Sequence, residues 1–386
     1  MPLIWCSISG HGYGHAAQVV PVLNALGRLV PNLSAILRTS VPADFFEPRL
    51  DIPWQLKVGQ QDIGCIQDGP LKIDVSRTWA AHSVLHSDWQ QKIEAEAALI
   101  RSAGPACVLS DISHLGIAAG AATGIPTIGL CSLSWDLVLE PFADPAQREH
   151  ATILRQIREA YAKADCFLRV APALAITAFH PVREIGPIAE PAVPQPAALR
   201  KAIGAGQSER VVLVGFGGIA LRAFPFEHME AMDGFRFVVD GVVPNGLTRV
   251  LSLASLGMTF KAVMASVDMI LTKPGYGTIV EAVALGIPVV YVRRYNFPDE
   301  PPLVDHLHRY GRGAELSLAD FLQGRWNAAI EQAFARPLSS TPPPLSGAQD
   351  AAHILKAVSY THLRAHETVL DLVCRLLLEK KKHMLR

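Results

Sequence analysis

The sequence predicts an α/β protein made of two Rossmann-like domains whose parallel sheets face a cleft. Three observations predict it. Apolar runs of strand length alternate with segments of helical periodicity along most of the chain. Each half opens with a strand that runs into a glycine turn, LIWCSISGHGYGH in the first and RVVLVGFGGIA in the second. A stretch rich in Pro, Ala and Gly, REIGPIAEPAVPQPAALRKAIGAGQSE, separates the halves. This places an N-terminal domain at 1–182, a linker at 183–208, a C-terminal domain at 209–345 and the start of a last helix at 346–357.

The elements follow in order. LIWCSIS is a strand, and AAQVVPVLNALGRL has apolar residues at helical spacing, so the two make the first β-α step. SAILRTS, PACVLSD and PTIGLCS are further strands of the first half. SDWQQKIEAEAALIRSA is a helix, GIAAGAATG a helix of small residues packed close to a sheet, and AQREHATILRQIREAYAKA a long amphipathic helix. Beyond the linker, RVVLV, FRFVVDG, DMILTKPGYG and PVVYVRR are strand-then-turn units, with the helix TIVEAVALG between the last two.

Composition narrows the function. Of 386 residues 50% are hydrophobic and 18% charged, which suits buried parallel strands. Lys+Arg and Asp+Glu are equal at 35 each, so no global charge points to nucleic acid. Six cysteines without CxxC pairs or metal-ligand spacing fit reduced thiols in the cytoplasm. The start lacks a basic n-region and a signal cleavage site, and no apolar stretch has transmembrane length. From Val358 onward the chain back-translates into sequencing adapter: VSYTHLRAHET matches a transposase adapter and DLVCRLLLEKKK a flow-cell adapter followed by a run of A bases. Residues 358–386 are therefore expected to be a read-through artefact, and without them the formal charge is about −3. The alternative for this tail is a basic amphipathic helix making peripheral membrane contact.

In an open parallel sheet, ligands gather at the carboxyl ends of the strands. GHGYGH, Gly10 to His15, lies at such an end and opens a helix. Gly12 and Gly14 allow a tight turn and a close backbone approach, and the helix N-terminus suits an anion. The spacing is not the GxGxxG dinucleotide fingerprint. His15 is a candidate general base or diphosphate contact, or else a histidine packed on the sheet; His11 has no assignable role. Asp111, in LSDISHLG, ends a strand over the same cleft and orients a histidine or acts as the base itself, or else caps the next helix. Trp135 and Asp136, in SWDLVLEPF, offer an acceptor surface of one aromatic and one carboxylate, or a core Trp.

In the second half, Gly217 and Gly218 form a turn whose N–H groups can meet a phosphate. LTKPGYGTIVEAVALGIPVVYVRR is the most informative stretch. Lys273 ends a strand, Gly275 and Gly277 turn, Thr278 starts a helix, and Glu281 follows at the Thr-x-x-Glu spacing of a capping box. The functional alternative is that Glu281 accepts both hydroxyls of a ribose. Asp299 and Glu300 stand in a proline-stiffened loop, as solvated acids or as a pair that holds sugar hydroxyls. Arg293 and Arg294 either balance phosphate charge or are a polar strand end, and no group of residues has persuasive metal spacing.

Over nearly all of residues 1–357 the chain resembles the GT-B superfamily of nucleotide-sugar glycosyltransferases. GHGYGH, SDISHLGIAAG, SWD…EPF and KPGYGTIVEA…GIPVVYVRR..FPDEP carry the resemblance. It is most similar to bacterial predicted glycosyltransferases and the glycosyltransferase-like N-terminal region of L-arabinokinases, and distantly to the N-acetylglucosaminyl transferase of lipid II synthesis. The resemblance implies His15 on the acceptor side, Gly217 and Gly218 at the donor phosphates and Glu281 at the ribose. It also implies a C-terminal helix that crosses back to the first domain. At the sugar loop many relatives have an acidic residue or Asn followed by Gln, whereas this chain has Asp299-Glu300-Pro301. The implied activity is inverting sugar transfer, with neither metal nor cofactor, from a nucleotide-sugar (a UDP-sugar favoured) to a small-molecule, glycan or lipid-linked acceptor. A nucleotide-sugar 2-epimerase and a non-catalytic sugar-nucleotide-binding module are the alternatives.

Overall fold

A computed structural model describes residues 2–217, 224–294, 296–338 and 340–358. Gly218 and residues 359–386, nearly all of the expected adapter tail, lie outside the described residues.

Among the described residues the first sheet has seven strands: β1 (Leu3–Ile8), β2 (Ser34–Thr39), β3 (Trp54–Val58), β4 (Cys107–Asp111), β5 (Thr127–Cys131), β6 (Cys166–Val170) and β7 (Val182–Ile185). Their order is β3-β2-β1-β4-β5-β6-β7, all parallel. The second sheet has six: β8 (Arg210–Val214), β9 (Phe235–Val239), β10 (Val250–Ser252), β11 (Met269–Thr272), β12 (Val289–Val292) and β13 (Gly313–Leu316). They run β10-β9-β8-β11-β12-β13, again all parallel. Helices join most successive strands, with β6–β7 and β9–β10 linked by irregular chain, and cover the near-continuous apolar runs of β1, β4, β5 and β8. β7 lies within the stretch read as linker: Val182–Ile185 pairs with β6 and extends the first sheet past residue 182. It is a short edge strand in Pro- and Gly-rich sequence, where periodicity carries no signal.

The small-residue helix His114–Ala121 sits as close to the first sheet as its composition demands. A Cβ on Gly116 would lie 2.4 Å from Ser7 Cβ, and one on Gly120 2.5 Å from Thr127 Oγ1. Residues 347–358 are helical, and Ala348, Ala351, Ala352 and Leu355 are buried in the first-domain core with Ile185 and Ile188. Gly347 N–H donates to Pro187 O at 3.1 Å and Gly186 N–H to Asp350 Oδ2 at 3.0 Å. The chain thus crosses back to its first domain. No described helix is long and apolar enough to cross a membrane.

Candidate active site

Strand order decides where the candidate residues meet. In the first sheet the chain winds outward in opposite directions from β1 and β4, so the loops after these neighbouring strands diverge and leave a crevice. In the second sheet β8 and β11 form the same switch point. GHGYGH follows β1, Asp111 ends β4, the Gly217 turn follows β8, and Lys273 follows β11. The sequence singles out all four segments, and topology pairs them.

In the first domain the register pairs Ile8 with Asp111. The helix Tyr13–Leu29 starts immediately beyond, with Gly12 as its N-cap at φ 79° and ψ 178°, backbone that a residue with a Cβ scarcely adopts. Gly14 is exposed, and a Cβ there would meet nothing within 4 Å. His15, in the first turn, points down to the sheet and is 8% exposed. Its Nδ1 lies 3.2 Å from Asp111 Oδ1 and 3.9 Å from Cys131 Sγ at the end of β5. Burial alone would lower the His15 pKa; the Asp111 charge and hydrogen bond, with Cys131, outweigh it and hold the ring well above its ordinary 6.5. Asp111 does not cap the helix that follows, because Ser113 Oγ accepts from Gly116 N–H in that role.

Two further residues complete the site, Asp62, which the sequence does not single out, and His11, to which it gives no role. Asp62, in the loop after β3, is buried, accepts from Trp135 Nε1 at 2.7 Å and from Ser9 Oγ at 2.9 Å, and has its pKa raised by burial to about 6. No motif surrounds it, so only the fold reveals it. His11 acquires a role: it packs edge-on to Trp135, bonds Gln67, and is held neutral by burial, then by His15, Lys273 and Arg294, with a pKa near 3. Trp135 is 2% exposed and tilts over His15 with ring centroids 5.8 Å apart, so it walls the site rather than presenting an open platform. Asp136 is not brought to the cleft. One residue further along the helix Trp135–Leu139 points about 100° away, and its carboxylate meets Arg158 Nε at 3.2 Å. A separate groove of about 400 Å³, lined by His86, Trp89 and Arg155, lies elsewhere on this domain.

In the second domain Lys273 stands between two glycine turns. A Cβ built on Gly217, at φ +68°, would lie 3.9 Å from its Nζ, and one on Gly275 3.7 Å away. Burial, then Arg294, lowers the Lys273 pKa to about 8 against the pull of Asp299 and Glu300. The helix Tyr276–Leu285 begins behind it with Gly275 as N-cap and no side-chain cap. Thr278 therefore lies inside the first turn, and the capping box that Thr-x-x-Glu allows is not formed. Gly277 is exposed with open space beside it. Glu281 is 4% exposed, and Lys261 Nζ reaches its Oε1 at 2.8 Å. Burial raises the Glu281 pKa and Lys261 opposes the rise.

The sugar-loop acids part company. Glu300 is buried with both oxygens engaged: it accepts from Arg294 N–H at 3.0 and 3.2 Å and from Arg294 Nε at 2.9 Å. Arg294 in turn donates to Pro274 O at 2.7 Å and covers the Phe297 ring at 3.9 Å. This pair locks the loop after β12 onto the Lys273 turn, so neither residue is a free ligand. Asp299 keeps a partly exposed carboxylate, 3.9 Å from Arg294 Nη2.

The domains touch beside these loops. Tyr276 Oη donates to Ala171 O at 2.7 Å and accepts from Ile188 N–H at 3.1 Å. The helices Tyr13–Leu29 and Tyr276–Leu285, which follow the two marked turns, also contact each other. No known family model matches the chain. It is 27% identical over 361 residues to an L-arabinokinase of Arabidopsis thaliana, a match that covers 90% of this chain and 34% of that protein. The chain thus spans about a third of that relative's length. Among solved structures it is similar to CalG4, the calicheamicin glycosyltransferase, with TM-score 0.59, 15% identity and coverage of 97% and 99% of the two chains. It is also similar to Phytolacca americana UGT2 complexed with UDP-2fluoro-glucose and pterostilbene, with TM-score 0.57, 16% identity and coverage of 94% and 95%. These likenesses over whole chains, with two parallel sheets and a helix returning to the first domain, show that the chain has the two-domain GT-B fold.

Proposed function

We propose that the chain transfers a glycosyl group from a nucleotide-sugar to an acceptor hydroxyl, with inversion at the anomeric carbon. The observation that carries this reading is the pairing of a buried His15–Asp111 dyad at one switch point with the Lys273 and Glu281 turn at the other. With Nδ1 turned to Asp111, His15 leaves Nε2 for the acceptor. Nε2 takes the hydroxyl proton while the oxygen attacks the anomeric carbon and the bond to the diphosphate breaks. Asp111 stabilises the imidazolium that forms, the part a buried carboxylate plays behind a histidine base. On the donor side, Lys273 and the N–H groups of the turns at Gly217, Gly275 and Gly277 meet the diphosphate and its growing charge in place of a metal. Gly218 belongs to the same proposed turn. Glu281 accepts the ribose hydroxyls, with Lys261 keeping it charged, and Thr278 lines the turn. Asp299 is the acid left to contact the donor sugar, while Glu300 holds the loop in place. On the acceptor side, Gly12 and Gly14 allow a close approach, Trp135 backs His15, and Asp136 anchors the Trp135 helix.

A UDP-sugar is the donor to try first, because the similar UGT2 structure holds UDP-2fluoro-glucose. The fraction of the L-arabinokinase that is matched supports a second reading, a sugar-nucleotide-binding module within a larger protein. One experiment separates them: the chain is screened by thermal shift against nucleoside diphosphates and nucleotide-sugars, and the best donor is incubated with an acceptor panel. Acceptor-dependent release of the diphosphate supports transfer. Binding without turnover supports the module, epimer formed from donor alone supports the epimerase, and binding of NAD instead of any nucleotide-sugar overturns all three.

A further inference from the structure

The cluster at the ends of β4 and β5 holds a second chemistry. His15 Nδ1, the Asp111 carboxylate and Cys131 Sγ lie within 4.8 Å of one another, and all three residues are buried. One imidazole nitrogen, one carboxylate oxygen and one sulfur form a donor set for Zn²⁺, and three protein ligands leave a fourth position open. Bonds of about 2.0–2.3 Å around a tetrahedral ion put ligand atoms roughly 3.3–3.8 Å apart. Here the imidazole nitrogen is 3.2 Å from the carboxylate and 3.9 Å from the sulfur.

Hydrogen bonding leaves part of this cluster unspent. Nδ1 bonds Asp111 Oδ1, while Asp111 Oδ2, also 3.2 Å away, is buried with no hydrogen-bond partner. Sugar transfer as proposed needs His15 and Asp111 but gives Cys131 no task. We propose that His15, Asp111 and Cys131 form a binding site for a thiophilic divalent transition metal, Zn²⁺ being the test ion, and that an ion there turns off the His15 base. Starting from the neutral, base form of His15, binding releases one proton to solvent, from the Cys131 thiol, and shifts the ring proton from Nδ1 to Nε2; starting from the imidazolium, the Nδ1 proton is released as well. A water from the cleft takes the fourth position. The ring proton that remains sits on Nε2, so His15 no longer accepts a proton from an acceptor hydroxyl. Inhibition rests on the transferase reading; metal binding does not.

The full chain, freed of metal by a chelator, is titrated with Co²⁺ and then Zn²⁺. The expected result is one ion per chain, a near-ultraviolet thiolate-to-cobalt charge-transfer band, and loss of that band when Zn²⁺ displaces Co²⁺. Cys131→Ser should abolish the band and weaken Zn²⁺ binding by more than about tenfold, since even residues that only support metal ligands cost about 10–100-fold. His15→Gln gives an independent check and should weaken Zn²⁺ binding as much. Co²⁺ binding without a thiolate band, or unchanged Zn²⁺ affinity in either folded variant, overturns the site. Zn²⁺ bound through these residues with undiminished transfer overturns only the link to His15 as the base.

Discussion

His15 Nδ1 and Asp111 Oδ1 lie 3.2 Å apart across 96 residues of sequence. Two local structures make the contact. His15 stands in the first turn of the helix after β1, and Asp111 is the last residue of the strand that pairs with β1. A glycine turn lets the helix start close enough for the ring to reach down.

Replacing His15 by Ala is expected to cut transfer by about 10²–10⁴-fold, the usual contribution of a general base. Diphosphate affinity, measured by calorimetry, should stay within about twofold because the donor turn is on the other domain. Full turnover in the folded variant would remove His15 from the chemistry.

The dyad also sets the direction of a pH profile. A base must be neutral to act, and His15 holds its proton to above 6.5 once Asp111 offsets burial. The log of kcat/KM should therefore rise with pH through a midpoint above 6.5. In Asp111→Asn the charge is gone and burial dominates, so the midpoint should move below the wild-type one while the plateau drops. A midpoint indifferent to Asp111 would contradict the pairing.

Lys273 and Glu281 should fail differently. Lys273→Met is expected to weaken a nucleoside diphosphate by about tenfold or more and leave the bare nucleoside unaffected, since the proposed site gives the ammonium only phosphate to meet. Glu281→Ala should weaken both by about tenfold, because losing charged hydrogen bonds costs about 1.5–3 kcal/mol. Equal loss for both ligands in Lys273→Met would move that residue out of the phosphate turn.

The glycines of the first loop separate turn from site. Gly12 sits at φ 79°, so Gly12→Ala should destabilise the fold by about 1–3 kcal/mol in denaturant unfolding. Gly14 is helical and open, so Gly14→Ala should hold or raise stability by up to about 1 kcal/mol. A drop in kcat/KM with stability intact would mark Gly14 as a place of close ligand approach, and unchanged kinetics would leave it a turn residue.

Acid should destabilise the first domain through a histidine group away from the site. His82 and His86 are pushed down to about 4, and His114 well below 6.5, in each case chiefly by burial. The unfolded chain binds protons near 6.5 and the folded one does not, so stability is lost as pH falls from there toward 4, by up to about 1.4 kcal/mol per pH unit per ring. His15 acts in the opposite sense, losing its contribution as pH rises through its raised pKa. Melting temperatures of wild type and His86→Gln between pH 7 and 4 check this; a slope unchanged in the variant would count against His86.

The fold class is legible in local patterns of the chain. Strand-length runs ending in GHGYGH, LSD and TKPGYG declare parallel β-α units, because a buried strand must be apolar throughout and a turn into a helix needs glycine or a cap. These signals are local, so they survive without a structure. What a side chain meets is not local. Asp136 and Glu300 looked like site acids beside Trp135 and Asp299, yet one turned to Arg158 and the other closed on Arg294. Adjacent helical residues point about 100° apart, and a buried carboxylate takes the nearest cation. Asp62 had no motif at all and entered the site because the loop after β3 folds over Trp135. Tertiary structure alone also decided that His15 meets both Asp111 and Cys131, since strand order, which no local pattern encodes, sets β4 beside β1 and β5 beside β4.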